Sequence, residues 1–528
     1  MAFALRAKSL SWGEGNIVGR KSGSQHRAAI FAGVIPACQQ WRRWLPVLAA
    51  LLLVLTVQAT LAPSRASADP TQTGQWTAPF NISVVGIHAQ VMPNSDNVLF
   101  WQYPKNTTGT KAVLFNTDTL TGIDVTQSYQ RDGFCAGNDL LPNGEVFDAG
   151  GHLYNSANPG SHEDGNGAPQ TDLFDPSTNT WTPGPLLATP RWYPTNIETA
   201  DGKIDIFSGQ VNPTTKAAPV EQYDPATNTM TTLPATASKS MPVYPRMTLL
   251  PNGLMLNSEP NAYTNLFNPA TNTWKGLGNT AFRAARTEGS AVQLANLNQV
   301  LIAGGKNGSG ATATAEIIDF SQAKPAWHLT GSMNFARAYA NTVLLPDGTV
   351  LEVGGGTSGS YTTTAAVKTA ELYNPATGTW SVMAAQTAPR IYHSTAVLLP
   401  DGRVLSAGMD SGTYQNTAEI YSPPYLFAGP RPTITSAPST VGYGQQFTVT
   451  TPDAANITSA VLVKPPGVTH AMQQDQREVP LQFTQTADGT GLTMTAPADG
   501  NHAPPGWYML FILNSSGVPS VASWVQVG

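Results

Sequence analysis

From about residue 80 to residue 425 the chain alternates short apolar runs with tight turns, and no segment carries a long helical period. One half-unit recurs throughout: an apolar strand enters a turn and leaves as a second strand that runs toward glycine. Its copies are VMPNSDNVLFW (91–101), LLPNGEVFDAGG (140–151), TADGKIDIFSG (199–209), LLPNGLMLNSE (249–259), LNQVLIAGG (297–305), LLPDGTVLEVGGG (344–356) and LLPDGRVLSAG (398–408). Asn-Gly and Asp-Gly are the preferred two-residue hairpin turns, so the copies carrying them predict β-hairpins. A second half-unit adds a strand with a Pro-containing turn: DLFDPSTNTW (172–181), EQYDPATNTM (221–230), NLFNPATNTW (265–274) and ELYNPATGTW (371–380). EIIDF (316–320) and EIYSPPYL (419–426) read as degenerate copies.

Seven copies at intervals of roughly 50 residues match four-stranded Kelch-type blades. Seven blades close on themselves, whereas a solenoid leaves open ends. The predicted fold is therefore all-β, a seven-bladed Kelch-type propeller over residues 69–428. Past that point the rhythm changes to short alternating strands such as QFTVTT (446–451) and GWYMLFIL (506–513). Residues 429–528 accordingly predict an immunoglobulin-like β-sandwich. No low-complexity linker separates the two, so they are expected to pack together.

Charged residues make up only 12% of the 528, while Gly (48) and Pro (42) are plentiful, which suits a turn-rich all-β chain. A net charge of -5 offers no basic footprint, and nucleic acid is excluded as a partner. Arg42 and Arg43 precede an apolar run over 44–62, and Ala66-Ser67-Ala68 follows as a cleavage site. Residues 1–68 thus read as a signal peptide or, because the run could almost span a bilayer, as an N-terminal membrane anchor. Either makes the protein secreted or extracytoplasmic, with that segment its sole membrane contact. A monomer is expected.

Cys38 and Cys135 are the two cysteines, and cleavage after Ala68 leaves Cys135 alone. An unpaired thiol in an oxidising compartment is either a buried small hydrophobe or a residue with chemistry to do. The repeat supplies context. Seven residues before Pro142 is Cys135; the same count back from Ala200, Pro251, Pro346 and Pro400 reaches Tyr193, Tyr244, Tyr339 and His393, with Tyr392 adjacent. Blade-strand entrances converge around the axis of a propeller. Sulfur, imidazole and phenolic oxygen gathered there suit a redox-active transition metal, copper in particular. Aromatic residues at such positions are ordinarily core, but packing gives no reason for the lone Cys to share the position. One geometric tension remains: neighbours such as Tyr392 and His393 point to opposite sides of a regular strand. Both reach one metal only where the backbone is irregular, at the strand entrance.

The segments RDGFCAG (131–137), RWYPT (191–195), RIYHSTAVLLPDGRV (390–404), THAMQQDQREVPL (469–481) and PPGWYMLFILNSSGVPSVASWV (504–525) resemble the galactose oxidase and glyoxal oxidase family of copper-radical oxidases. RWYPT looks more like the glyoxal oxidase branch. The resemblance implies one copper ion and a thioether joining Cys135 to Tyr193, the pair holding a tyrosyl radical. It implies Tyr193, His393 and His470 as in-plane ligands, and Tyr392 as axial ligand and general base. His502 matches no ligand position and reads as a surface histidine. The implied activity is two-electron oxidation of a small aldehyde or primary alcohol, carbohydrate end groups included, with O2 reduced to H2O2.

Two departures stand out. Where galactose oxidase stacks a Trp over the thioether, SGQVNP places Val211. Where it has an Arg directly after the Tyr corresponding to Tyr244, Pro245 intervenes before Arg246, which argues against galactose as substrate. Arg246, Tyr244 and Tyr339 are the expected substrate mouth. The alternatives are a non-catalytic Kelch propeller binding carbohydrate or protein at the cell surface, and a copper-binding protein lacking the thioether.

Overall fold

The computed structural model describes residues 69–528 apart from 159, 162, 163, 309, 360 and 361. The apolar run over 44–62, the cleavage site and Cys38 lie outside the described residues. The described chain is all-β, with a few short helical turns.

Seven antiparallel sheets follow one another along the chain. Their first strands are His88–Val91, Gly137–Leu140, Thr195–Glu198, Arg246–Leu249, Thr287–Gln293, Ala338–Leu344 and Ser394–Leu398. Each lies against the first strand of the next sheet, and Ser394–Leu398 returns to His88–Val91, so the order is cyclic. Sequence-distant ends meet in the last sheet: Gln75–Trp76 and Phe80–Asn81 both pair with Thr417–Ser422. Apolar clusters fill the space between neighbouring sheets, as where Phe147 stacks on Tyr223 with ring centroids 4.2 Å apart.

The hairpins are where the pattern places them, but their turns differ from the two-residue type expected. Gly144 N–H donates to Leu141 O (2.9 Å) and Leu141 N–H to Glu145 O (2.8 Å), with Gly144 at φ 91°. That is a three-residue Pro-Asn-Gly loop, a type I turn closed by a left-handed glycine. Pro142 suits this loop, since proline fixes φ near the helical value at the first corner, which a two-residue I′ turn cannot accept; the Ala200-Asp201-Gly202 copy closes the same way without proline. Where the glycine is missing, Leu297 takes the left-handed place at φ 61°, its side chain buried in the core of the C-terminal residues.

A repeated ion pair, absent from the sequence reading, holds the start of the first strand in five of the seven sheets. Arg131 pairs with Asp172, Arg191 with Glu221, Arg286 with Glu316, Arg337 with Glu371 and Arg390 with Glu419, all essentially buried. Arg191 also donates to Ser208 O (2.6 Å) and Pro219 O (2.7 Å). Each arginine thereby ties the segment before its strand to the two strands behind it. Removing one partner of such a buried pair costs about 3–5 kcal/mol, because the other charge is left uncompensated.

Beyond residue 429 two further sheets face a shared apolar core. One contains Thr440–Val441, Ser523–Val527, Gly506–Asn514, Ile457–Lys464 and Arg477–Pro480; the other contains Gln446–Thr450, Gly491–Thr495 and Gln482–Gln485. A hairpin of strands Gly467–Thr469 and Met472–Gln474 leaves this body and joins the first sheet, where Val468 is opposite Ala89. Met472–Gln474 also touches the first strands of the third to sixth sheets, so the hairpin stands inside the ring of first strands. The side chains of Gln474, Asp475 and Gln476 fasten it. Asn196 N–H donates to Gln474 (2.9 Å), Glu198 N–H to Asp475 (2.6 Å) and Leu344 N–H to Gln476 (2.9 Å). Buried Lys464 pairs with Glu198 and lies 3.8 Å from Asp475.

Candidate active site

The strand-entrance positions share one backbone conformation. Cys135 (φ 57°), Tyr193 (63°), Tyr244 (47°), Tyr339 (64°) and His393 (64°) are all left-handed. Non-glycine residues rarely adopt it, and its recurrence at equivalent places marks an imposed geometry. The entrances are also linked in series: Tyr193 N–H donates to Cys135 O and Tyr244 N–H to Tyr193 O, both at 2.9 Å. This answers the difficulty over Tyr392 and His393. Both precede the strand at Ser394, and the left-handed turn at His393 stacks the two rings on one side, centroids 3.8 Å apart.

Five of the sequence-predicted residues meet at one point. His470, at the tip of the inserted hairpin, is at its centre. Its ring centroid lies 4.4 Å from His393, 5.2 Å from Tyr392 and 5.3 Å from Tyr193. Cys135 Sγ is 3.1 Å from His470 Nε2, and the ligand atoms of Cys135, His393 and His470 all lie within 4.8 Å of one another. Tyr193 Oη and Tyr392 Oη are 2.8 Å apart.

Supporting groups set the tautomers. Asp410 is 2.5 Å from His393 Nδ1, which places the proton there and leaves Nε2 buried with no hydrogen-bond partner among the described residues. Thr469 Oγ1 is 2.6 Å from His470 Nδ1, leaving His470 Nε2 toward Cys135. Cys135 N–H donates to His88 Nε2 (3.1 Å), and His88 stacks flat on Trp101. Full burial lowers His88 to about 3 and His470 well below the ordinary histidine range, so both are neutral. Burial raises the Cys135 thiol, and burial, then Cys135 and Tyr392, raises the Tyr193 phenol. In this state both hold their protons.

The expected substrate mouth is met in part. A cavity of about 280 Å³ opens beside the cluster and is lined by Tyr193, Tyr392, His470, Tyr244, Arg246 and Glu288 among others. Arg246 is tied down, donating to Gly289 O (2.7 Å) and Tyr244 O (2.8 Å). Buried Tyr244 donates to Ala136 O (3.0 Å). Tyr339 does not line this cavity; its ring packs against Tyr392 and its hydroxyl meets Lys306. A larger hollow of about 680 Å³ lies at the hairpin-turn ends of the strands, around Asp201 and Asn252, and touches none of the cluster. His502 is partly exposed and paired with Asp499, away from the cluster.

Sequence reasoning missed several neighbours. Asp410 and His88 gave no signal, since both act across strands. Trp192 stood in plain view inside RWYPT: its ring lies 4.6 Å from that of Tyr193. Val211 is on the strand Gln210–Asn212, whose Gln210 pairs with Trp192 through both main-chain groups. An indole therefore does pack on Tyr193, contributed by the preceding residue rather than by position 211.

Comparison with known proteins identifies the family. Residues 105–425 match the family model described as glyoxal oxidase N-terminus, and residues 431–527 match galactose oxidase-like, Early set domain. A galactose oxidase of Gibberella zeae is 29% identical over 86% of this chain and 70% of its own length. An aldehyde oxidase GLOX of Vitis pseudoreticulata is 30% identical over 75% of this chain and 82% of its own. Among solved structures, a fungal alcohol oxidase of the AA5 family in complex with copper superposes with a TM-score of 0.76 at 26% identity, over 86% of this chain and 100% of that one. With more than half of its length under the first model, the chain belongs to the glyoxal oxidase family, within the galactose oxidase-like copper-radical oxidases.

Proposed function

We propose that the chain is an exported copper-radical oxidase that takes two electrons from an aldehyde or primary alcohol and passes them to O2, releasing H2O2. The observation that supports it most is the convergence of Cys135, Tyr193, Tyr392, His393 and His470 on one buried point. A binding module has no need of that set.

The donors fit copper. Two imidazoles offer Nε2, the one at His393 buried without a hydrogen-bond partner among the described residues, and two phenolic oxygens stand beside them. His393, His470, Tyr193 and Tyr392 would hold one ion. Copper bound there would accept one electron and raise the acidity of a substrate hydroxyl. The chain's own residues do the rest. Tyr392 as phenolate takes the hydroxyl proton. Tyr193, joined to Cys135 through a thioether and oxidised by one electron, takes a hydrogen atom from the substrate carbon. O2 then removes two electrons and two protons as H2O2 and returns Tyr193 to its radical. Forming the thioether itself removes the thiol hydrogen and one ring hydrogen of Tyr193, with two electrons passing to O2. Trp192 packs on Tyr193 and would help shield a radical there from water.

The same reading takes residues 69–428 as a seven-bladed Kelch-type propeller and 429–528 as an immunoglobulin-like sandwich. The cyclic order of first strands and the core shared by the last two sheets support it. Residues 1–68 deliver the chain outside the cytoplasm as signal or anchor. Cys135→Ser tests the chemistry: the variant should bind copper yet make no peroxide from any aldehyde or alcohol that the unaltered protein oxidises. A serine variant that makes peroxide normally would overturn the reading.

A further inference from the structure

The seven-residue register extends to the two sheets for which it was not counted. In the first sheet, counting back from Pro93 reaches Gly86; in the fifth, counting back from Ala295 reaches Glu288. Glu288 has φ 58°, the same left-handed conformation as Cys135, Tyr193, Tyr244, Tyr339 and His393. It also lines the 280 Å³ cavity together with Tyr193, Tyr392 and His470. A carboxylate thus occupies the ring position that elsewhere carries the chemistry.

Its surroundings leave its oxygens available. Among the described residues nothing hydrogen-bonds to it, and the cations that face it are committed elsewhere. Arg246 gives its N–H groups to Gly289 O and Tyr244 O, and Lys306 meets the Tyr339 hydroxyl. Holding a carboxylate at a partly buried site without a partner is costly unless a ligand donates to it.

The two substrate classes differ in the number of donors they bring. A hydrated aldehyde carries two hydroxyls on the reacting carbon, whereas a primary alcohol carries one. One hydroxyl gives its proton to Tyr392; the second needs an acceptor. We infer that Glu288 accepts the second hydroxyl of a hydrated aldehyde and so selects aldehydes over primary alcohols. The inference rests on the oxidase reading of the site. The overall step balances as RCH(OH)2 + O2 → RCOOH + H2O2, with no reactant beyond those of that reading.

The test compares kcat/KM for an aldehyde and for a primary alcohol in the copper-loaded protein and in Glu288→Gln and Glu288→Asp. The aldehyde-to-alcohol ratio should fall about 10-fold or more in the Gln variant, as for loss of a charge-assisted hydrogen bond, and recover in part in the Asp variant. The hydrate of trifluoroacetone, a geminal diol with no hydrogen on the reacting carbon, gives a readout apart from turnover: its binding followed by 19F NMR should weaken by a similar factor. A ratio that stays within about twofold of the original, in a Gln variant that still makes peroxide and binds the diol equally well, overturns the role of Glu288 alone. Unaltered copper-loaded protein that makes no peroxide from either substrate overturns the oxidase reading and this inference with it.

Discussion

The carboxylate of Asp410 lies 2.5 Å from Nδ1 of His393, and the opposite ring nitrogen is buried with no hydrogen-bond partner among the described residues. The pair spans the first hairpin of the last sheet: His393 precedes its first strand and Asp410 follows the second, Val404–Gly408, after Met409 at φ 126°. The acid therefore decides which nitrogen of His393 faces the cluster. Loss of such a partner typically costs a metal site 10- to 100-fold in affinity. Asp410→Ala should weaken copper binding by roughly that factor, measured by competition with a chelator, while the midpoint of thermal unfolding of the copper-free protein changes little.

Trp192 packs on Tyr193 at 4.6 Å with the rings inclined by 44°. An aromatic contact of this kind is worth about 0.5–1.5 kcal/mol, which corresponds to up to roughly tenfold in a rate. Trp192→Ala should shorten the lifetime of the oxidised, radical-bearing form by up to about tenfold, followed as decay of its visible absorption after the oxidant is removed. Copper affinity should hold, since Trp192 supplies no ligand.

Glu259 and Glu352 are fully buried with no salt bridge among the described residues, and burial raises both to about 8. A raised carboxylate binds more protons in the folded than in the unfolded state, so stability falls as pH rises above the unfolded value. Above pH 6.5 unfolded histidines are mostly neutral and do not oppose this trend. Between pH 6.5 and 8 each of the two carboxylates should therefore remove on the order of 1–2 kcal/mol of stability. The unfolding midpoint should drop over that interval, and Glu352→Gln should flatten the slope.

Much of this was legible in the sequence because the signals were local. Each hairpin announces itself through its own turn, and a fixed count from that turn found Cys135, Tyr193 and His393. The same count would have found Glu288, but its copy, LANLNQV, replaces the Pro and Gly that mark the turn elsewhere. Asp410 and His88 act through contacts across strands, which no single stretch of sequence displays. Tyr339 shows the reverse case. Its register was read correctly, yet its hydroxyl meets Lys306 rather than opening onto the cavity. Pro142 shows why turn type was misjudged: the Asn-Gly pair is present, but the proline before it suits a different loop.

The central claim is that Cys135 and Tyr193 become one cofactor, and intact mass tests it most directly. The purified protein is loaded with copper under air, its mass is measured, and its thiol is titrated after unfolding. The account predicts loss of two hydrogens, loss of thiol reactivity, and a cross-linked peptide containing Cys135 and Tyr193 after proteolysis. An unchanged mass with Cys135 still a free thiol would contradict it.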